Sequence, residues 1–213
     1  VGAPSQPYDD AGNPGYTAFA LAKKSRTPTV YVGANDGMVH AFDDSATANA
    51  GKETWAYVPK ALFTAGDPND TTHPQKPEFQ LGALSFGGGI PLFERRFYVN
   101  ATPRVWDIDF ANTNTSTAPG SGNDWRTILV GGLGAGGQAV FALDVTTPIA
   151  PPPPALSADT EATAAGKVLW EFTDANLGYV YDAPTLVKTQ AYGWVALVAS
   201  GYNNPGGKGY LYV

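Results

Sequence analysis

The sequence predicts an all-β fold, a portion of a β-propeller of about three four-stranded antiparallel blades with long loop insertions. A strand–turn–strand–loop–strand unit occurs twice along the chain and starts a third time. The residues inside each unit, mostly Val, Ile, Tyr, Phe and Trp, suit a pleated and half-buried surface. Gly (25) and Pro (18) are abundant and charged residues make up only 15%, a composition that fits short strands joined by turns.

A repeat of this kind decides the fold before any single element does. One copy reads Thr29-Val30-Tyr31-Val32-Gly33, then Val39-His40-Ala41-Phe42-Asp43, then Gly51-Lys52-Glu53-Thr54-Trp55. The other reads Thr127-Ile128-Leu129-Val130-Gly131, then Val140-Phe141-Ala142-Leu143-Asp144, then Gly166-Lys167-Val168-Leu169-Trp170. A partial third copy runs Trp194-Val195-Ala196-Leu197-Val198, turns through Gly201 to Gly209, and resumes at Tyr210-Leu211-Tyr212-Val213. Trp55 and Trp170 fall at equivalent places, where a large stiff side chain would pack between neighbouring sheets.

In chain order, residues 1–27 form a leading segment with a short helix over Tyr16 to Lys24, where apolar residues recur near helical spacing. Residues 28–61 are the first blade, and Asn35-Asp36-Gly37 supplies the positive φ angles of a tight hairpin. Residues 62–98 are an insertion, rich in Gly, Pro, Asp and Thr from Leu62 to Pro91. Residues 99–173 are the second blade, led by the alternating strand Pro103 to Phe110, with a polar loop from Asn112 to Asn123. A low-complexity spur of polyproline type starts at Pro151 to Pro154, and Gly166-Lys167 is read as a second positive-φ turn. Residues 174–213 are an incomplete third blade led by Pro184-Thr185-Leu186-Val187. Three blades cannot close a ring, and the chain stops in mid-strand at Val213, so the expectation is an open portion of a larger propeller.

The net charge is −6 and basic residues come only in pairs such as Lys23-Lys24 and Arg95-Arg96, which disfavours nucleic acid and anionic membrane surfaces as partners. No apolar run approaches the roughly 18 residues of a membrane span. With no cysteine there is no disulfide framework, thiol nucleophile or Cys-based zinc site. Few charges and many Thr, Asn, Gly and Tyr lean toward an extracellular or periplasmic protein, and the start at Val1 is read as lying downstream of the true N-terminus, where an export signal would stand.

No catalytic, cofactor or metal residue is assigned. Gly132-Leu133-Gly134-Ala135-Gly136-Gly137 matches a dinucleotide-binding pattern, but a strand-like segment follows it, so it reads as a flexible inter-strand turn. His40 reads as a packed or hydrogen-bonded strand histidine, and His73 sits in the long loop without a partner in view. Asp107 and Asp109 share one side of a strand and read as its solvated face rather than a calcium site. G-x-S-x-G is absent, and nothing pairs Ser85 or Ser200 with a base.

Several phrases in order are similar to one family. They are Val30-Tyr31-Val32-Gly33-Ala34-Asn35-Asp36-Gly37-Met38-Val39-His40-Ala41-Phe42, Trp55-Ala56-Tyr57-Val58-Pro59, Leu129 to Gly137, Phe141 to Val145, Val168 to Phe172, and Ser200-Gly201-Tyr202-Asn203-Asn204. They resemble the C-terminal propeller of the PilC/PilY family of type IV pilus tip and biogenesis proteins. The resemblance implies a non-enzymatic scaffold exported by a Gram-negative bacterium to the pilus tip, cell surface, outer membrane or periplasm. Implied partners are minor pilins and the pilus machinery, with adhesion to host or abiotic surfaces and surface sensing as implied roles. The family's propeller carries an EF-hand-like Ca²⁺ loop in a later blade. No position here matches it, so calcium is an expectation for the parent protein only. The Ala-x-Asp and Gly-Lys-x-x-Trp phrases also resemble the repeat of pyrroloquinoline-quinone dehydrogenases and of outer-membrane assembly scaffolds. The dehydrogenases use adjacent cysteines, which this chain lacks, and the repeat reads here as blade packing.

Overall fold

Three antiparallel sheets follow one another along the chain. The structure, a computed structural model, describes residues 1–63, 97–111, 123–150 and 158–213. The first sheet joins β1 (Thr29–Gly33), β2 (Val39–Asp43) and β3 (Glu53–Tyr57) in sequence order. The middle sheet has four strands, β4 (Arg104–Asp109), β5 (Trp125–Gly132), β6 (Val140–Asp144) and β7 (Val168–Phe172), again in order. The third joins β8 (Thr185–Thr189), β9 (Gly193–Ala199) and β10 (Leu211–Tyr212). Among the described residues, four strands are present only in the middle sheet. Beside β1, Val1 exchanges backbone hydrogen bonds with Thr29.

The repeat survives at the level of register. Ala41 lies opposite Trp55 and Ala142 opposite Trp170, and each pair is followed by a bulge, between Ala41 and Phe42 and between Ala142 and Leu143. The Asp that ends each strand donates its N–H to the Lys carbonyl of the Gly-Lys phrase, Asp43 to Lys52 at 2.9 Å and Asp144 to Lys167 at 2.7 Å. The two phrases are therefore the two sides of one closure, which works whatever loop length separates them. The first strands align one residue away from the sequence reading. Gly33 pairs with Val39 and Gly132 with Val140, so Gly132, not Gly131, is the counterpart of Gly33.

The middle blade is buried on both faces. Leu129, Phe141 and Leu143 face the first sheet, where they join Val39, Tyr57, Leu62, Tyr98 and Val99. Ile128, Val130 and Ala142 face the third sheet with Ile108 and Leu186. Val140, Leu177, Val180 and Val198 fill the outer part of that second seam. Double burial explains why Ile128-Leu129-Val130 is continuously apolar rather than alternating. Leu62, read as the start of a surface insertion, is instead fully buried in the first seam. The rest of that insertion, from residue 64 to 96, lies outside the described residues, as do residues 112–122.

Two glycines fix how close the blades come. A Cβ on Gly33 would sit 2.7 Å from the Val99 carbonyl oxygen, and one on Gly132 would sit 2.6 Å from that of Val180. Val99 and Val180 belong to matching leading segments, Tyr98-Val99 and Tyr179-Val180, each ending in a Pro just before β4 or β8. The glycine-rich stretch after β5 is a packed turn rather than a flexible one. Residues 134–136 form a 3₁₀ turn, Leu133 is fully buried, and a Cβ on Gly136 would strike the backbone of Tyr98. Gly37 does adopt a positive φ (93°) in the first hairpin, but Gly166 does not. It follows instead a short helix, α2 (Ala158–Ala165), which the alanine-rich sequence favours over an extended spur.

Residues 1–27 form a strap across all three sheets. Its helix, α1 (Tyr16–Ala22), lies against the middle sheet, where Tyr16 packs on Trp125 with ring centroids 4.9 Å apart. Tyr8 accepts a hydrogen bond from Trp106 Nε1 at 2.6 Å and packs on both Trp125 and Trp194. Trp125 Nε1 donates to the Pro14 carbonyl, and Lys188 of β8 donates to the Gly12 carbonyl at 2.7 Å.

Gly132→Ala is expected to destabilise the fold by roughly 2–3 kcal/mol, because the clash is with backbone that cannot rotate away. Gly51→Ala, at a positive φ of 76° in open space, is expected to cost only about 1 kcal/mol. Urea unfolding followed by tryptophan fluorescence compares the two, and equal losses would refute the close-approach account.

Candidate functional site

Three polar constellations stand out among the described side chains. The first surrounds His40. The Asn35-Asp36-Gly37 turn and β3 bring two carboxylates to its ring, with Nε2 2.8 Å from Asp36 Oδ2 and Nδ1 2.6 Å from Glu53 Oε1. Phe42 stacks beside it at 5.9 Å. Burial pulls the His40 pKa down, but the hydrogen bonds and charges of Glu53 and Asp36 outweigh it and leave the value above the ordinary 6.5. The two carboxylates hold opposite nitrogens of the ring, which ties turn to strand and presents no shared metal position. Among the described residues no group of three or more His, Asp or Glu side chains is arranged to hold a metal ion.

The second constellation centres on Asp107. The sequence placed Asp107 and Asp109 on a solvated face, but they are only 3% and 4% exposed. For Asp107 the strap is the cause, because Tyr16 of α1 covers a side of β4 that alternation alone leaves to water. Tyr16 donates its hydroxyl proton to Asp107 Oδ2 at 2.8 Å, and Thr127 donates to Oδ1 at 2.6 Å. Arg26 donates in turn to the Thr127 hydroxyl at 2.6 Å and reaches the carbonyls of Gly2 and Thr146. Asp109 turns to backbone, accepting from the N–H groups of Ala111 and Asp124. Burial, reinforced by the hydrogen bond to Asp107, raises the Tyr16 pKa well above the ordinary tyrosine range. The hydroxyl therefore stays protonated and remains a donor.

The third joins the first two blades at their outer strands. Tyr57 of β3 donates to Glu171 Oε1 of β7 at 2.6 Å, and the Lys60 N–H donates to the same oxygen at 2.9 Å. Burial and this carboxylate push the Tyr57 pKa up. Each of the three constellations joins a carboxylate to side chains or N–H groups of another element. What they do chemically is fix one element against another.

The surface offers a recess for contact rather than for chemistry. Trp170, Phe172, Trp194, Val198 and Tyr212 line an apolar cleft of about 350 Å³ between the middle and third sheets. Tyr181, Tyr192 and Tyr202 stand exposed on the loops of the third blade. The loops expected to display binding surface, Leu62–Pro91 and Asn112–Asn123, lie almost wholly outside the described residues, as does His73. Sequence reading missed the strap as an organising element. The signal was present in the aromatic pair Tyr8 and Tyr16, which has no role in a short isolated helix.

Removing the Tyr16 hydroxyl with Tyr16→Phe leaves the buried Asp107 one donor short, at a cost of about 1–3 kcal/mol. The strap should then become the first site of limited proteolysis, and unchanged protease resistance would argue against the contact. His40 gives a pH dependence of defined sign. Its folded pKa is raised, so its stabilisation is complete below about pH 6.5 and is lost as pH rises through the folded value. The effect should stay below about 1 kcal/mol because both carboxylates are nearly half exposed. Comparing the unfolding midpoints of the wild type and His40→Gln at pH 6 and pH 8.5 tests it, since only the wild type should lose stability between them.

Comparison with known proteins agrees with this architecture. Residues 3–212 match the family described as the PilY1 beta-propeller domain. The type IV pilus biogenesis factor PilY1 of Pseudomonas aeruginosa strain PAK is 34% identical over 212 residues, covering 98% of this chain and 14% of that protein. A PilY1 homolog of Xylella fastidiosa strain Temecula1 is 34% identical over 203 residues, 93% of this chain and 11% of its own length. The crystal structure of the P. aeruginosa PilY1 C-terminal domain superposes with a TM-score of 0.57 at 32% identity, covering 92% of this chain and 29% of that one. The chain thus spans about one seventh of the curated relatives it matches and belongs to the PilY1 beta-propeller domain family.

Proposed function

We propose that this chain is the rigid part of a type IV pilus biogenesis protein and works without catalysis, as a scaffold that engages minor pilins. One observation carries the reading: 98% of this chain is similar to a segment of a type IV pilus biogenesis factor. The geometry supports it, since every polar constellation described fixes one element to another. A three-blade core laced by a strap is suited to holding long loops at a constant spacing. Display of those loops is the proposed mode of contact with pilins, and in the whole protein it would extend to adhesion and surface sensing at the pilus tip. The protein would then be exported and act at the cell surface.

Pull-down of the full-length protein with minor pilins, together with deletion of its gene, tests the proposal. Co-purification of pilins and loss of surface pili are expected, with piliation restored by the wild type and reduced with Gly132→Ala. Normal piliation and no pilin contact would overturn it, and quinone-dependent dye reduction by the intact protein would favour an enzyme instead.

A further inference from the structure

Three cations meet at one turn. Lys23, just after α1, donates to the Thr147 hydroxyl at 3.1 Å. Lys167, only 8% exposed, donates to the Thr147 carbonyl at 2.6 Å. Arg26 reaches the Thr146 carbonyl as well as the Thr127 hydroxyl. No carboxylate lies within 4 Å of any of the three among the described residues. Burial lowers the pKa of both Arg26 and Lys167, opposed by Asp107 for the first and Asp144 for the second. A chain of net charge −6 thus gathers desolvated positive charge at one place and gives it neutral oxygens as partners.

That place adjoins a cleft of about 500 Å³. Lys23 and Arg26 line it together with Ser45 and Thr47 of the β2–β3 loop, Thr146 and Thr147, and one carboxylate, Asp43. Three acidic groups at or near the cleft accept hydrogen bonds from neighbours. Asp43 accepts from the Ser45 N–H at 2.8 Å, Asp144 from the Thr146 N–H at 2.9 Å, and Asp124 is held by Arg126. Hydroxyls and cations without carboxylate partners, converging on a concave surface, suit a ligand that brings several anionic oxygens.

We propose that the cleft between Lys23–Arg26 and Ser45–Thr47 binds a small multivalent oxyanion, carrying phosphate or carboxylate groups. The ammonium of Lys23 would leave the Thr147 hydroxyl to meet the ligand. The hydroxyls of Thr47 and Thr147 would donate to it, and Arg26 and Lys167 would supply the field from behind.

Isothermal titration of the full-length protein with inorganic phosphate and, separately, with citrate tests this at constant ionic strength set by chloride. Saturable binding of one of the two identifies the oxyanion class. Lys23→Gln should weaken it roughly tenfold, the loss of one charge-assisted contact. Lys24→Gln, a neighbouring cation that does not line the cleft, should leave it unchanged. Should Lys23→Gln fail to fold, Thr47→Val removes a donor from the β2–β3 loop and should weaken binding severalfold. Heats no larger than those of chloride, equal affinity in wild type and Lys23→Gln, or saturable Ca²⁺ uptake strengthened by Lys23→Gln would each overturn the proposal.

Discussion

The blades of this protein meet where a glycine admits a carbonyl oxygen. Gly33 receives the Val99 backbone and Gly132 the Val180 backbone, each at a distance no side chain tolerates. The contact recurs at both seams and sets the spacing between sheets. With the spacing fixed, the seam must be filled by side chains of defined size, and it is: Leu62 and Tyr98 in the first, Leu177 in the second, all fully buried. The Asp-to-Lys closure keeps each outer strand in register for that packing. Precise blade spacing is a backbone property here, and the apolar side chains fit themselves to it.

The polar groups belong to the same design at a second level. Interiors tolerate carboxylates only when these are hydrogen-bonded. Asp107 has two hydroxyl donors and Asp109 two backbone ones. Tyr57 and Glu171 join the outer strands of adjacent blades. Asp107 and Tyr57 are each buried between two elements, so their hydrogen bonds specify an orientation that apolar packing alone would leave loose. Holding a fixed shape is what these contacts have in common.

How far the sequence disclosed this depends on the range of the interaction. The two copies of the repeat were legible because Ala41 and Ala142, Asp43 and Asp144, and Trp55 and Trp170 are tied within one blade by pairing of local strands. The one-residue offset of Gly132 was not legible, since Gly131 and Gly132 are adjacent and only the partner strand distinguishes them. Asp107 and Asp109 looked solvent-facing because alternation reports the faces of a strand and not what covers them. The residue that covers Asp107, Tyr16, lies 91 positions away. The cleft cations were invisible for the same reason: Lys23 and Thr147 are 124 residues apart. The leading phrase Tyr-Val before each Pro was in plain view, and its meaning emerged only when the glycines were seen to need those carbonyls.

The strap has a consequence for the order in which the chain acquires its structure. Each sheet is made of strands joined in sequence, so its own contacts close short loops and can form early. The strap's contacts are of another kind. Tyr16 to Asp107 spans 91 residues, Trp106 to Tyr8 spans 98, and Lys188 to Gly12 spans 176. The segment that precedes all three sheets in the sequence is thus the last to find its full set of partners, after the third sheet exists. Until then Trp125 and Trp194 lack the Tyr8 ring that packs on both. Residues 1–27 serve as a late fastener, and their docking reports that all three blades are in place.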